Sequence, residues 1–146
     1  MLKKIVGFFL ICFFIFSAGL LLHTPQEERD RLIEKQKDSI AGLPICPGSP
    51  IPLFVDVPAI PDEIKVIVEK WDNCVGSYHP EFSGSYSGGW KSGKKHFYGV
   101  WSNGEDTYTG GYANGLRQGY GRATNLADDE YTVEGYFEAG YLKSRF

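Results

Sequence analysis

The sequence predicts a mainly β protein assembled from repeated hairpins, carried behind an apolar N-terminal segment and a charged helix. Three observations predict it. First, YSGGWKSGKKHFYG (Tyr86 to Gly99) and YTGGYANGLRQGYG (Tyr108 to Gly121) coincide at Tyr, Gly-Gly, an aromatic, Gly and Tyr-Gly when offset by 22 residues. A period between about 20 and 50 residues marks stacked supersecondary units. Second, Tyr86, Gly88 and Trp90 alternate with Ser87, Gly89 and Lys91; this is the two-residue period of a strand, and it puts ring and small residue on one face. Third, Ser92-Gly93, Asn103-Gly104, Asn114-Gly115 and Ala139-Gly140 supply the positive-φ residues that close hairpins.

At the N-terminus, Lys3-Lys4 precede an uncharged run of 18 residues, Ile5 to Leu22. As a helix it would be about 27 Å long, enough for the hydrocarbon core of a bilayer. Residues 1–23 therefore read as a single-pass anchor. The lysines place the N-terminus in the cytoplasm and the rest of the chain outside it, which in a bacterial cell would be the periplasm. A cleaved signal peptide and a secreted product compete with this, because Ser17-Ala18-Gly19 offers a small-residue site, although Leu20 to Leu22 extend the apolar run beyond it.

Residues 24–42 read as a charged helical spacer. Thr24 is the cap, Pro25 the first helical residue, Glu27 completes a capping box, and Gly42 ends the helix. Its few large apolar residues, Leu32, Ile33 and Ile40, suggest a solvated helix that lifts the remainder off the membrane. Residues 43–73 begin with six of the chain's eight prolines between Leu43 and Pro61, which excludes helix and central strand and implies extended chain lying on a surface. Ile64, Ile67, Val68 and Trp71 then share one helix face, while the alternation of Ile64, Val66 and Val68 leaves a strand open. Residues 74–146 hold the repeats. A third copy, VEGYFEAG (Val133 to Gly140), lies 25 residues beyond the second, with the extra residues expected in a loop around Leu126 to Glu130. Val75-Gly76-Ser77-Tyr78 supplies an incomplete first unit. A phosphate-cradling loop, the other use of clustered glycines, would need a Lys-Ser/Thr ending that is missing here.

The pattern Tyr-x-Gly-x-(Trp/Tyr)-x-x-Gly-x-x-x-Gly-x-Gly resembles the MORN repeat (membrane occupation and recognition nexus). Tyr108 to Gly121 fits it at every such position, and Tyr86 to Gly99 fits with Phe97 in place of one glycine. Val133 to Phe146 has Val for Tyr and stops short. The resemblance covers roughly half of the 146 residues; LPICPGS and WDNCVGSY are also similar to the lead-in of small bacterial exported MORN proteins. It implies an elongated, single-layer, twisted antiparallel sheet of stacked hairpins. The repeat-defining and binding-face positions it implies are Tyr86, Gly88, Trp90, Gly93, Gly99, Tyr108, Gly110, Tyr112, Gly115, Gly119, Gly121, Gly135, Phe137 and Gly140. A ring from a neighbouring strand is expected to lie over bare glycine backbone, offsetting glycine's poor strand propensity.

In an oxidising compartment Cys46 and Cys74 would close a disulfide across the proline-rich segment and short helix, two free buried thiols being the alternative. Cys12 lies in the apolar run. No metal or cofactor is implied, since His23, His79 and His96 are isolated from each other and from cysteines at ligand spacing. Asp128-Asp129-Glu130 lacks the alternating oxygen ligands of a calcium loop. His79-Pro80-Glu81 with Tyr98 or Tyr120 is the best catalytic candidate, and no nucleophile setting accompanies it. The expectation is thus no catalytic residue and no enzyme. A net charge of −3 gives no basic field for nucleic acid.

The function expected is a membrane-anchored, non-enzymatic module whose exposed aromatic face binds an unidentified protein, with lipid or an envelope polymer as other partners. Lys91, Lys94 and Lys95 are candidate contacts to anionic lipid. MORN repeats elsewhere accompany phosphatidylinositol phosphate kinases and a lysine methyltransferase; no segment here is left to hold such a domain, so the enzyme-class alternative is an accessory subunit. The last strand, Glu134 to Phe146, could accept a partner strand, unless Lys143 and Arg145 guard it.

Overall fold

The computed structural model describes residues 25–50, 65–80, 83–125 and 128–146. The expected anchor or signal segment (1–23) and residues 51–64 lie outside the described residues. Among those described, no helix is long and apolar enough to cross a membrane.

Seven strands form one open antiparallel sheet in sequence order: β1 (Cys74–Tyr78), β2 (Ser85–Lys91), β3 (Lys94–Ser102), β4 (Asp106–Ala113), β5 (Leu116–Asn125), β6 (Asp128–Glu138) and β7 (Tyr141–Arg145). Three of the four glycine dipeptides make two-residue hairpin turns with both residues left-handed: Ser92 and Gly93 at φ 50° and 70°, Asn114 and Gly115 at 52° and 88°, Ala139 and Gly140 at 51° and 91°. These values suit primed turns, whose twist matches that of the strands they join. The fourth differs. Only Gly104 is left-handed there, and the Asn103 side-chain oxygen accepts hydrogen bonds from the Glu105 and Asp106 amides at 3.0 and 2.6 Å. The loop expected around Leu126 to Glu130 is shorter than the repeat offset suggested, because a register shift after Thr124 pairs Asn125 with Asp128 and starts β6 there.

A bulge recurs at the repeat interval. Between Gly88 and Trp90, β2 advances two residues while β3 advances four, from Gly99 to Lys95; β4 and β5 repeat this between Gly110 and Tyr112. The extra residues need one left-handed position, and Gly119 supplies it at φ 78°. Phe97 occupies the same place in the preceding repeat at φ 61°, a conformation costing about 1–2 kcal/mol for a residue with a Cβ.

One face carries an unbroken aromatic ladder. Trp71, Trp90, Tyr86, Tyr112, Tyr108 and Phe137 meet edge to face in that order, with successive centroids 5.1, 5.2, 5.0, 5.3 and 5.0 Å apart. Such pairs add about 0.5–1.5 kcal/mol each beyond area burial. Bare backbone makes room for the rings: a Cβ on Gly99 would lie 2.5 Å from Tyr86 Cζ, and one on Gly121 2.5 Å from Tyr108 Cζ. The buried hydroxyls are satisfied the same way in both repeats, Tyr86 donating to the Gly89 carbonyl (3.1 Å) and Tyr108 to that of Gly111 (3.2 Å).

The ladder's outer end is closed by the segments ahead of the sheet. The Cys46–Cys74 disulfide is formed, Ile45 makes a parallel bridge to Val75 on the outer edge of β1, and the Trp71 indole donates to the Pro47 carbonyl at 2.8 Å. Of the segment expected as helix or strand, Lys65–Val68 is helical (α2), and it places Val68 and Trp71 in the core.

The charged helix α1 (Pro25–Lys37), extended by a 3-10 turn (Asp38–Ile40), forms where expected, its expected cap Thr24 lying outside the described residues. It does not stand off in solvent. It packs on β3, β4 and β5 on the face opposite the ladder, where Gly111 and Gly119 admit the Gln36 amide: a Cβ on either would lie 2.8 or 2.9 Å from Gln36 Nε2. Arg29 anchors the helix, donating to Glu134 Oε2 at 3.1 Å and lying 5.4 Å from the Phe146 ring centroid.

Candidate binding face

The repeat motif's rings are core, not exposed contact area. Tyr86, Trp90, Tyr108, Tyr112 and Phe137 are all buried, Tyr108 completely at 0%. Desolvation fits this, since burial raises the hydroxyl pKa of Tyr86, Tyr108 and Tyr112 well above the ordinary tyrosine value. Gly88, Gly99, Gly110 and Gly121 lie under or beside the tyrosine rings, and Gly93, Gly115 and Gly140 sit in turns. Gly135 is held closely by backbone, a Cβ there lying 3.0 Å from Arg145 Cα.

What the ladder face offers to a ligand is the layer above the rungs. Lys95 and Arg117 occupy equivalent repeat positions. The Lys95 ammonium lies 5.3 Å from the Tyr86 ring centroid and 5.8 Å from that of Trp101. The Arg117 guanidinium lies 4.7 Å from the Tyr108 centroid and 6.0 Å from those of Trp101 and Phe137. Cations over ring faces gain from the ring quadrupole, and both here are only partly exposed. In the third repeat the position belongs to Leu142, packed against the core.

Two clefts open beside these cations. One of about 560 Å³ lies between α2, the β2–β3 hairpin and Pro80, with Tyr78, Tyr86 and Trp90 in its wall and Lys95 among its lining residues. The other, about 330 Å³, has Arg117 and Phe137 in its wall and the exposed Tyr141 at its rim. Burial, and secondarily the charge of Arg117, push the Lys95 ammonium down to about 8 from its usual 10.5. The three lysines singled out in the sequence are therefore not equivalent. Lys91 and Lys94 are exposed at the β2–β3 turn, whereas Lys95 is folded back over rings.

The opposite face holds a polar cluster that the sequence did not point to. Glu134 accepts from Arg29, from Arg122 and, at 3.1 Å, from the Tyr120 hydroxyl. Burial alone would raise the Glu134 carboxyl, but the bonds from Arg29 and Arg122 outweigh it and hold the pKa below the usual value. Burial and then the Glu134 charge push Tyr120 up to about 12, which makes Tyr120 a poor proton donor at neutral pH. Tyr98 and Tyr120 lie in mid-sheet on β3 and β5 and His79 follows the edge strand β1, while Glu81 of the catalytic candidate lies outside the described residues. Among the described residues no cluster of three or more His, Cys, Asp or Glu is placed to hold a metal ion.

A second feature unforeseen in the sequence is the docking of the three two-residue turns, each on the unit before it. The first turn residue donates its amide to a side chain of the preceding unit: Ser92 to Asp72 (2.8 Å), Asn114 to His96 Nδ1 (3.3 Å) and Ala139 to Gln118 (3.2 Å). The turn glycines donate to backbone carbonyls of that same unit, Gly93 to Trp71 (2.8 Å), Gly115 to Lys95 (2.9 Å) and Gly140 to Arg117 (3.0 Å). His96 and Gln118 stand one repeat apart, a signal readable in retrospect.

No protein-family model matches the chain, and no curated protein matches it.

Proposed function

We propose that this chain is a MORN-type hairpin-repeat module without catalytic activity. It is held at the membrane by its N-terminal apolar run and presents the ladder face of its sheet to a protein partner outside the cytoplasm. The observation that carries this reading is the asymmetry of the sheet: α1 covers one face, while the other retains two clefts beside partly exposed cations. Clefts of several hundred Å³ with a few polar groups in an apolar wall are the usual form of binding sites.

The test is site-specific photo-crosslinking of the full-length chain in intact cells. A photoreactive residue at Lys94 or Tyr141, on the rims of the two clefts, should give a discrete protein adduct. The same residue at Lys35, exposed on α1, should not. Equal labelling from all three positions, or none from the two cleft positions, would overturn the reading.

A second reading is binding to anionic lipid, favoured by the exposure of Lys91 and Lys94 on one turn. It predicts salt-sensitive flotation with anionic vesicles, abolished by Lys91→Glu/Lys94→Glu.

A further inference from the structure

Several of the described cations have an acidic partner. Arg29, Arg31, Lys37, Arg122 and Lys143 are each within salt-bridge distance of a carboxylate. Lys95 and Arg117 lie over aromatic rings instead, and among the described residues neither is in such a pair. They also share the Trp101 ring, whose centroid is 5.8 Å from one charge and 6.0 Å from the other. Two like charges flanking one ring, in partly desolvated surroundings, are unfavourable until an anion lies against them. The Lys95 pKa is lowered first by burial and then by the Arg117 charge, in keeping with that cost.

The linings point the same way. The larger cleft adds Lys65 and Lys94 to Lys95 against one carboxylate, Glu69. The smaller adds Arg145 to Arg117 against Asp106, whose carboxylate already accepts from Asn125 at 2.9 Å. Both clefts, at about 560 and 330 Å³, are wider than an inorganic anion needs and are walled by Trp90, Tyr86 and Phe137. A flat bilayer surface meets the exposed Lys91 and Lys94 but not an ammonium folded back over Tyr86. Lys95 and Arg117 stand on β3 and β5, two strands apart, so about 10 Å separates their attachment points across the sheet. An extended peptide spans that distance in about three residues.

We propose that the ladder face docks an acidic peptide segment of a partner protein, with the Lys95 and Arg117 cations each taking a carboxylate of that segment, one per repeat. This rests on the display reading above and names the chemistry of the partner it implies. The third repeat ends the row, because Leu142 stands where a third cation would.

The test uses the full-length chain with its disulfide intact and follows tryptophan fluorescence, since Trp90 and Trp101 border the cations. Hexaglutamate should bind and hexalysine should not. Lys95→Met and Arg117→Met, which remove charge and keep an unbranched stem, should each weaken hexaglutamate about tenfold and together about a hundredfold. Lys35→Met should leave binding unchanged. Hexaglutamate affinity indifferent to both cleft variants would overturn the proposal. So would inorganic phosphate or phosphatidylglycerol vesicles that bind as tightly and are lost in the same variants, which would mark a phosphate site. If hexaglutamate fails while crosslinking from Lys94 still captures a protein, the acidic chemistry is wrong and the display reading stands; if both fail, both fall.

Discussion

Lys95→Met should make the protein more stable, an unusual expectation for removing a charge from a partly exposed position. Bringing the Lys95 ammonium from its usual 10.5 down to about 8, at 1.36 kcal/mol per pH unit, corresponds to about 3 kcal/mol of disfavour for the charged form in the fold. Methionine removes that cost and keeps the stem. It also forfeits two ring contacts, each worth about 0.5–1 kcal/mol, so the net gain at pH 7 should be about 1–2 kcal/mol. Urea denaturation reads it as a higher midpoint at unchanged slope.

The pH dependence gives an independent check with a definite sign. Folded Lys95 releases its proton near pH 8 and unfolded Lys95 near 10.5. Between those values the unfolded chain holds more protons, and stability rises with pH. That rise should belong to the wild type and be missing in Lys95→Met. The buried tyrosines shift the other way and act at higher pH, so the wild-type-minus-variant difference between about pH 7.5 and 9.5 isolates Lys95. A variant no more stable than wild type at pH 7, with the same slope in that window, would refute the claim that Lys95 is held charged at a cost to the fold.

Two further outcomes test the packing on the two faces. Gly99→Ala and Gly121→Ala each force a Cβ to within 2.5 Å of a tyrosine ring carbon and should cost about 3 kcal/mol, at or above the upper end of overpacking penalties. Gly104→Ala, where nothing lies within 4 Å and only φ +92° opposes a side chain, should cost about 1 kcal/mol by urea denaturation. On the other face, Glu134→Gln removes the carboxylate shared by Arg29, Arg122 and Tyr120. Amide exchange in α1 should then quicken, and ultraviolet titration should show Tyr120 ionising below its present value of about 12. Unchanged exchange together with an unchanged tyrosine titration would mean that Glu134 does not hold the helix.

How much of this was legible in the sequence varied with the kind of interaction involved. The hairpins were legible because their signals are local. Asn114-Gly115 is a turn wherever it stands between alternating residues, and Tyr108, Gly110 and Tyr112 carry the strand period themselves. The pairing of Cys46 with Cys74, 28 residues apart, was legible for a different reason, as only these two cysteines flank the proline-rich segment and short helix. The destination of the rings was legible in part. The pairing of aromatic with glycine let a ring be expected over bare backbone, as Tyr86 lies over Gly99, but not that the ring face would be buried rather than offered as contact area; that depends on sheet twist and on the bulge at Phe97. The docking of α1 was hidden by its composition, since the helix adheres through an arginine, a glutamine and two facing glycines rather than through an apolar stripe. The difference between Lys95 and Lys94 was also hidden, although strand parity, with Lys95 opposite Trp90 and Lys94 opposite Lys91, was the clue.

The ladder restricts where this module can carry specificity. Rungs such as Tyr86, Tyr108 and Phe137 are wedged between bare glycine backbone and one another, so a change at a rung or at its glycine is paid for in stability before it alters any contact with a partner. The position above each rung is under no such constraint. It holds Lys95, Arg117 and Leu142 in three successive units of the same fold, and the backbone carbonyls of the first two each accept the next turn's glycine amide regardless of side chain. If the ladder face docks a partner as proposed, the choice of partner can change by substitution at that one position per repeat while the ladder beneath is left intact. The fold tolerates a costly uncompensated lysine there because only the charge, and not the scaffold, depends on it.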